Sequence, residues 1–139
     1  MDRVEMTRLV EEHYRTFWQG DLDDFDHQLA PNFVDRDALG DRRGPGAAKE
    51  YAAAIRGAFP DMTVSVEQAI VEEDWIAVRA LWEGTNTGSV LAREPTGRRV
   101  KFSGIVFWRI GNGLLAERWA QIDFASMYAQ LEGGPPTPT

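Results

Sequence analysis

Asp123 is the side chain whose setting best suits proton transfer. It ends the segment 114–123, in which strand-like alternation puts Trp119 and Gln121 on the same face as the carboxylate. Large apolar neighbours remove water from a carboxylate, and this loss of hydration raises its pKa. From an ordinary value of about 3.9, a rise of several units yields a base for a proton on a carbon next to a carbonyl group. From the residues alone, capping of a helix that begins at Phe124 is the more common role for such an aspartate.

Two further carboxylates, Asp35 and Asp37, flank Arg36. Such a set is similar to the acid–base residues of small epoxide hydrolases. Adjacent strand residues point to opposite faces, so only the two carboxylates share a side. Those hydrolases also carry an Arg-x-Asp pair on one strand, and this chain has none. The pattern favours a surface ion-pair cluster at a strand end and leaves Asp35 as a candidate substrate contact.

Metal-binding residues are scarce. The chain has no cysteine and only two histidines, His13 and His27, and these have neither His-x-His nor His-x-x-x-His spacing. The acidic run 21–26 lacks the central glycine and the final glutamate of a calcium loop. We therefore expect no metal site. His13 is expected to lie partly exposed on a helix, beside Tyr14.

Helices should form the first part of the chain. An apolar stripe through Val10 and Tyr14 indicates a long first helix that ends at Gly20. A short helix at 21–29 and a third helix at 45–59 are bounded by capping residues and prolines.

From residue 62 the period of the apolar residues changes from about 3.6 to about 2, which is typical of strands. One strand is predicted from residue 62 to a turn at 72–74. Further strands are predicted at 75–82, 99–110 and 114–123, and a short strand is predicted at 33–35. Gly111-Asn112-Gly113 predicts a tight hairpin turn. Helices followed by an antiparallel meander indicate an α+β domain with helices on one face of a curved sheet.

The strand at 99–110 has apolar residues on both faces. One face carries Val100, Phe102, Val106, Trp108 and Ile110. The other face carries Ile105 and Phe107, and two large apolar residues are more than we expect on a sheet face that is exposed to water. Either a partner subunit covers this second face, or its apolar residues are the scattered exposure that is common on protein surfaces. We expect the first, with this face as the two-fold interface of a homodimer.

Composition narrows the classes of function. The 139 residues suit one domain, expected at 1–132, with a disordered tail at 133–139 that is rich in glycine and proline. A net charge of −7 argues against nucleic-acid binding, since phosphate contacts need clustered lysine and arginine. The charged N-terminal residues exclude a signal peptide or membrane span there, so we expect a cytoplasmic protein with no membrane partner.

Several stretches resemble the SnoaL-like polyketide cyclase family, and they occur in the family's order across nearly the whole chain. They are residues 17–23, 29–35, 58–62, 84–88, 95–100, 107–110 and 117–119, followed by Asp123.

The resemblance implies the cone-shaped α+β barrel of the nuclear transport factor 2-like superfamily. Such a barrel has a curved mixed or antiparallel sheet, three N-terminal helices on its concave face and a deep apolar pocket between them. The resemblance also implies a homodimer. Cyclases of the family close a ring of an aromatic polyketide by an intramolecular aldol reaction, without a metal or organic cofactor.

By position, the family's acid–base aspartate is Asp123, so Asp123→Asn is expected to lower kcat. The histidine that faces this aspartate in the family is replaced here by Val106. Histidines found in many relatives are replaced by Arg36, Asn86 and Arg118.

The sequence therefore predicts a cofactor-free, polyketide cyclase-like enzyme for a hydrophobic small molecule, with Asp123 as acid and base. The predicted substrate contacts are Tyr14, Trp18, Asp35, Phe59, Val106, Trp108, Trp119 and Gln121. Two alternatives stay open: a small hydrolase or isomerase of the same fold, similar to the epoxide hydrolases, and a binding protein without catalysis.

Overall fold

A computed structural model describes residues 1–37, 40–90 and 92–138, and this part of the chain forms four α-helices and one six-stranded sheet. The helices are α1 (Arg3–Gln19), α2 (Phe25–Gln28), α3 (Gly44–Ile55) and α4 (Phe124–Leu131). Single 3₁₀ turns lie at Leu22–Asp24 and Arg56–Ala58. The strands are β1 (Leu29–Asp37), β2 (Gly40–Arg43), β3 (Thr63–Glu72), β4 (Trp75–Thr85), β5 (Arg99–Gly111) and β6 (Leu114–Ile122).

Both ends of helix α1 are fixed by side chains. The Asp2 carboxylate accepts a hydrogen bond from the Glu5 N–H, which satisfies a free amide of the first turn. At the other end, the Arg56 guanidinium donates to the Gly20 carbonyl oxygen at 2.8 Å. A cation at this end of a helix also offsets the helix dipole. The predicted end of the first helix at Gly20 is confirmed.

The predicted second helix is shorter than expected. It consists of the first 3₁₀ turn followed by α2, and Leu29 already belongs to β1. Strand β2, which is short and polar, is absent from the prediction because it lacks an apolar period.

The strands lie in the order β2-β1-β6-β5-β4-β3. Strands β3 to β6 form the predicted antiparallel meander, and β1 runs parallel to β6, so the sheet is mixed. Asn112 and Gly113, between β5 and β6, have φ angles of 51° and 75°. A two-residue hairpin needs these positive angles, and the predicted turn is confirmed.

A β-bulge interrupts the alternation of β6. The neighbours Arg109 and Ile110 pair with Glu117 and Leu115, which leaves Ala116 as an extra residue. Leu115 and Ala116 are both buried, although adjacent strand residues normally face opposite sides. The bulge therefore changes which side of the sheet the rest of β6 presents.

Beyond the bulge, Arg118 pairs with the buried Trp108, and Ala120 pairs with the buried Val106. Directly paired residues face the same side, so Arg118 and Ala120 lie on the concave face. The residues that face outwards are Glu117, Trp119 and Gln121.

Aromatic side chains fill the concave side of the sheet. Trp108 is fully buried, and the rings of Phe33 and Tyr14 lie 6.3 Å and 6.0 Å from its ring, measured between centroids. Trp82 and Phe102 stack at 5.9 Å with 7° between their planes. These rings form the core between the helices and the sheet.

An apolar row crosses the outer face of the sheet. Strand pairing places Ile70, Ala77, Phe107 and Trp119 side by side. Ile70 is 60% exposed, and Phe107 and Trp119 are each 50% exposed. An exposed apolar row of this kind suits a self-complementary interface. The homodimer stays a prediction, and this row is the surface on which we expect it to form.

We expect Phe107→Asp to convert the protein from dimer to monomer, because a carboxylate would be buried unpaired at the centre of the interface. A dimer should bury about 1,200–2,000 Å² in total. Sedimentation velocity at micromolar concentration measures the effect, with Val4→Asp on the exposed side of α1 as the control. A wild-type protein that sediments only as a monomer would refute the dimer.

The segment 133–138 contains no helix or strand, and it contacts the domain. The Thr137 N–H donates to the Lys101 carbonyl oxygen at 3.2 Å, and the hydroxyl oxygens of Thr137 and Ser126 are 3.1 Å apart. Within the described residues, no helix is long and apolar enough to cross a membrane.

Candidate functional site

Asp123 lies outside the interior of the cone. Strand β6 ends at Ile122, and Asp123 is exposed. Its Oδ1 accepts a hydrogen bond from the Ser126 N–H at 3.0 Å and so caps α4. The expectation that apolar side chains surround this carboxylate is therefore wrong, because the bulge turns Trp119 and Gln121 outwards. Asp123 has the capping position that the sequence offered as the alternative.

We expect Asp123→Ala to lower the free energy of unfolding by about 1 kcal/mol and Asp123→Asn to leave it nearly unchanged, since asparagine caps as well as aspartate. Urea unfolding of the three proteins measures the difference. Equal stability of the alanine variant and the wild type would show that the cap contributes nothing.

The aspartate–histidine pair implied by the resemblance has no polar counterpart in this chain. The histidine position is Val106, which is fully buried, and the residue that faces it from β6 is Ala120. Both positions lie on the concave face and both side chains are apolar. Proton transfer inside the cone therefore needs other groups.

An ion pair lies on this concave face, next to Trp108. Asp35 on β1 and Arg118 on β6 are paired neighbours, and Nη1 of Arg118 donates to Oδ1 of Asp35 at 2.9 Å. The other oxygen of Asp35 accepts a hydrogen bond from Nη2 of Arg42 at 3.0 Å. The side chains of Asp35 and Arg118 are only 7% and 14% exposed, and that of Arg42 is 20% exposed. The cluster is thus largely dry and reaches solvent beside β2.

The predicted surface ion-pair cluster at Asp35, Arg36 and Asp37 is wrong for Asp35, which is buried. Arg36 faces the other side of the sheet and donates to Glu117 and Asp41. The side chain of Asp37 lies outside the part of the chain that the structure describes.

Arg118 and Tyr14 meet at the ring of Trp108. The guanidinium carbon of Arg118 lies 5.5 Å from the centroid of that ring, and the indole N–H donates to the Tyr14 hydroxyl at 3.3 Å. Burial raises the pKa of Tyr14, so its hydroxyl keeps its proton. Burial alone would lower the pKa of Arg118, but the charge of Asp35 raises it above its ordinary value. The site therefore holds a neutral hydroxyl and a permanent cation.

His13 completes this group. Its ring is 5.3 Å from that of Trp108 and 4.6 Å from that of Phe25, measured between centroids. Only 5% of the residue is exposed, so the expectation of a partly exposed histidine is wrong. Burial lowers its pKa to about 4, although the hydrogen bond with Gln28 acts in the opposite direction. The imidazole is neutral at neutral pH and can accept a proton.

We name His13, Tyr14, Asp35, Trp108 and Arg118 the Trp108 cluster. Three of its members are predicted contacts, whereas Arg118 and His13 are not. A sequence signal for Arg118 is the apolar run Leu114, Leu115 and Ala116, which breaks the alternation of β6 at the place where the structure has the bulge that reverses its faces. Among the other predicted contacts, Val106 is buried on the concave face. Trp18 and Phe59 lie together, 6.5 Å apart between ring centroids, and Trp119 and Gln121 are on the outer face.

Core side chains occupy the space between the helices and the sheet, where the resemblance implies a deep apolar pocket. Two open depressions on the described surface lie elsewhere. One depression, of about 350 Å³, lies between α1 and β3 and is lined by residues of both. The other, of about 240 Å³, lies beside the hairpin at Asn112. The described residues contain no group of three or more histidine or acidic side chains that could hold a metal ion.

A comparison with protein families matches residues 8–131 to the model described as SnoaL-like polyketide cyclase. A search of curated proteins found no significant match.

Solved structures share the fold across nearly the full chain. TsrD from Streptomyces laurentii is 24% identical with a TM-score of 0.83, and the match covers 94% of this chain and 97% of TsrD. A protein from Jannaschia sp. CCS1, described as a SnoaL-like polyketide cyclase, is 21% identical with a TM-score of 0.84 and coverages of 96% and 95%. IdmH from Streptomyces antibioticus, described as a polyketide cyclase, is 26% identical with a TM-score of 0.78 and coverages of 91% and 97%. The expected fold is confirmed.

Proposed function

Because this chain belongs to the SnoaL-like polyketide cyclase family, we propose that it is an acid–base enzyme for a hydrophobic, polyketide-type substrate and that it needs no metal or organic cofactor. The proposal moves the chemistry from Asp123 to the Trp108 cluster. The observation that carries it is the meeting of the Tyr14 hydroxyl and the Arg118 guanidinium at one aromatic ring in a largely water-free interior.

These two groups can polarise a substrate carbonyl. The Tyr14 hydroxyl accepts a hydrogen bond from Trp108, and its own hydrogen has no acceptor among the described residues. Of the N–H groups of Arg118, only Nη1 has a hydrogen-bond acceptor within that same part of the chain. Both residues can therefore donate to a carbonyl oxygen. Each donor placed where negative charge develops on such an oxygen lowers the activation barrier and raises the rate of the reaction by about 10²–10³-fold.

The reaction that fits this geometry begins with loss of a proton from the carbon next to the carbonyl group. The electron pair of the C–H bond moves to the carbonyl oxygen and forms an enolate, which Tyr14 and Arg118 stabilise. The enolate carbon can then attack a second carbonyl of the same molecule, which forms a new carbon–carbon bond and closes a ring. The Trp108 ring provides the flat apolar contact for the substrate rings.

The substrate reaches the cluster from the side of β2 and α3. Arg42 is partly exposed there, and its guanidinium lies 3.8 Å from the centre of the Tyr51 ring. The half-buried rings of Phe17 and Trp18 on α1 must move when a large substrate enters, because the interior is filled with side chains.

Binding without catalysis is the second candidate, and the apolar pair of Val106 and Ala120 favours it. Hydration of an epoxide is less well supported. It needs a carboxylate that is free to accept a proton from water, and both oxygens of Asp35 already accept hydrogen bonds from guanidinium groups.

The test uses 1-tetralone, a bicyclic ketone, as the probe. We expect the wild-type protein to exchange the protons next to its carbonyl group for deuterium in D₂O faster than buffer does, as measured by proton NMR. Tyr14→Phe keeps the ring and removes one donor, so the rate should fall by about 10²–10³-fold. A wild-type rate equal to that of buffer would contradict enzyme function and favour the binding protein.

A further inference from the structure

A chain of three side chains links α1 to α2 beside the Trp108 cluster. Nε2 of Gln28 donates to the Thr16 hydroxyl oxygen at 2.8 Å, and Oε1 of Gln28 lies 3.0 Å from Nδ1 of His13. The amide of Gln28 thus has its nitrogen towards Thr16 and its oxygen towards His13. The described residues offer the other ring nitrogen of His13, Nε2, no hydrogen-bond partner.

We propose that His13 is the base that takes the proton from the substrate carbon, with Nε2 as the accepting atom, and that Gln28 fixes this nitrogen as the acceptor. The proposal rests on the proposed function and names its missing proton acceptor. His13 is the catalytic residue in this scheme, and Gln28 is a positioning residue that acts through it.

The hydrogen bond with Gln28 determines which ring nitrogen of His13 carries the hydrogen. A carbonyl oxygen can only accept, so Nδ1 of His13 must carry the hydrogen in its bond with Oε1 of Gln28. A neutral imidazole has one N–H, and Nε2 is therefore left with a lone pair. Rotation of the amide by half a turn would place the hydrogen on Nε2 instead, where this N–H would find no acceptor among the described residues. Donors without acceptors are rare in residues as buried as His13, which is 5% exposed, so the first arrangement is favoured.

The position of His13 matches the role. Its ring meets the Trp108 ring edge-on, at 80° between the planes, and Tyr14 is the next residue on α1. The charged groups that act on it from the other elements are Arg118 on β6 and Asp35 on β1. Base, hydroxyl donor and guanidinium thus all contact the same indole ring, so a carbonyl compound bound beside that ring would have a proton acceptor and two donors near it.

The protein and the substrate together account for every bond that breaks or forms in this step and for the proton that is transferred. The C–H bond breaks, an N–H bond forms at Nε2, and the electron pair passes to the oxygen held by Tyr14 and Arg118. His13 becomes an imidazolium, and after the new carbon–carbon bond has formed it returns the proton to the oxygen of the second carbonyl. Burial keeps His13 neutral before the reaction, with a pKa of about 4.

The tautomer is measured directly by two-bond ¹H–¹⁵N correlation NMR of the imidazole rings at neutral pH. The chain has only two histidines, and His27→Asn removes the signals of the exposed one. We expect the hydrogen of His13 on Nδ1. A hydrogen on Nε2 would overturn the proposal and would leave the proposed function standing.

The catalytic role is measured by deuterium exchange of 1-tetralone. His13→Asn keeps a donor to Gln28 and removes Nε2, and it should slow the exchange by about 10²–10⁴-fold, with His27→Asn as the matched control. A His13→Asn variant that is folded by circular dichroism and fully active would overturn the proposal. If the wild type itself gives no exchange, the proposed function fails and the role of His13 fails with it, whatever the tautomer.

Gln28→Glu separates positioning from packing. The glutamate can accept from both His13 and Thr16, and a carboxylate this close should raise the pKa of His13 by about 1–3 units. Since kcat/KM needs neutral His13, activity falls as pH drops through that pKa, and the acid limb should move upwards from about pH 4. A purely structural role for Gln28 would lower the rate without moving the limb, and that result would overturn the positioning role.

Discussion

Replacing Asp35 with leucine should lower the free energy of unfolding by about 3–5 kcal/mol, because it leaves the buried Arg118 without its countercharge. The carboxylate is 7% exposed and accepts hydrogen bonds from Arg118 and Arg42 at 2.9 Å and 3.0 Å. Urea unfolding monitored by tryptophan fluorescence measures the loss.

The control is Glu132→Ala, which removes one partner of the exposed pair between Arg93 and Glu132, at 3.5 Å. Exposed ion pairs contribute about 0–1 kcal/mol, so this variant should remain close to the wild type. If Asp35→Leu and Glu132→Ala have equal effects, the ion pair beside Trp108 is not the buried interaction described above.

Replacing Arg118 with methionine should slow deuterium exchange of 1-tetralone by about 10²–10³-fold, because the enolate loses a charged donor. Methionine occupies similar space on the concave face, so the packing around Trp108 should be largely kept. Asp35 retains its hydrogen bond from Arg42 in this variant, and the loss of stability should be smaller than in Asp35→Leu.

The double variant Asp35→Leu/Arg118→Met separates stability from activity. Removal of both members of a buried ion pair is often neutral, so stability should recover towards the wild type. The exchange activity should not recover, because the cation remains absent. Joint recovery of stability and activity would show that Arg118 acts only through folding.

Local patterns in the sequence predict much of the fold. The hairpin at Asn112 and Gly113 and the buried face of β5 depend only on neighbouring residues, and both are confirmed. The parallel pairing of β1 with β6 joins segments far apart in the chain, so periodicity cannot reveal it. Strand β2 has no apolar period and was missed for that reason.

The candidate site is harder to predict than the fold, because the extra residue in β6 changes which side chains of that strand face the interior. The bulge at Ala116 turns Trp119 and Gln121 outwards and Arg118 inwards, so strict alternation gives the wrong face for this part of β6. Helical spacing predicts a partly exposed His13. The residue is buried because it packs against Phe25 and Trp108, and these contacts cannot be read from the spacing of residues along α1. Tyr14, Trp108 and Asp35 are predicted contacts and lie together in the structure, where Arg118 joins Asp35 to the ring of Trp108.

We expect the Trp108 cluster, rather than Asp123, to perform the chemistry. The most direct test compares deuterium exchange of 1-tetralone by Asp123→Asn and Arg118→Met at equal concentrations of folded protein. We predict that Asp123→Asn exchanges at the wild-type rate, because it changes only an exposed helix cap, and that Arg118→Met is slower by about 10²–10³-fold. Loss of activity in Asp123→Asn with full activity in Arg118→Met would show that Asp123, and not the Trp108 cluster, performs the proton transfer.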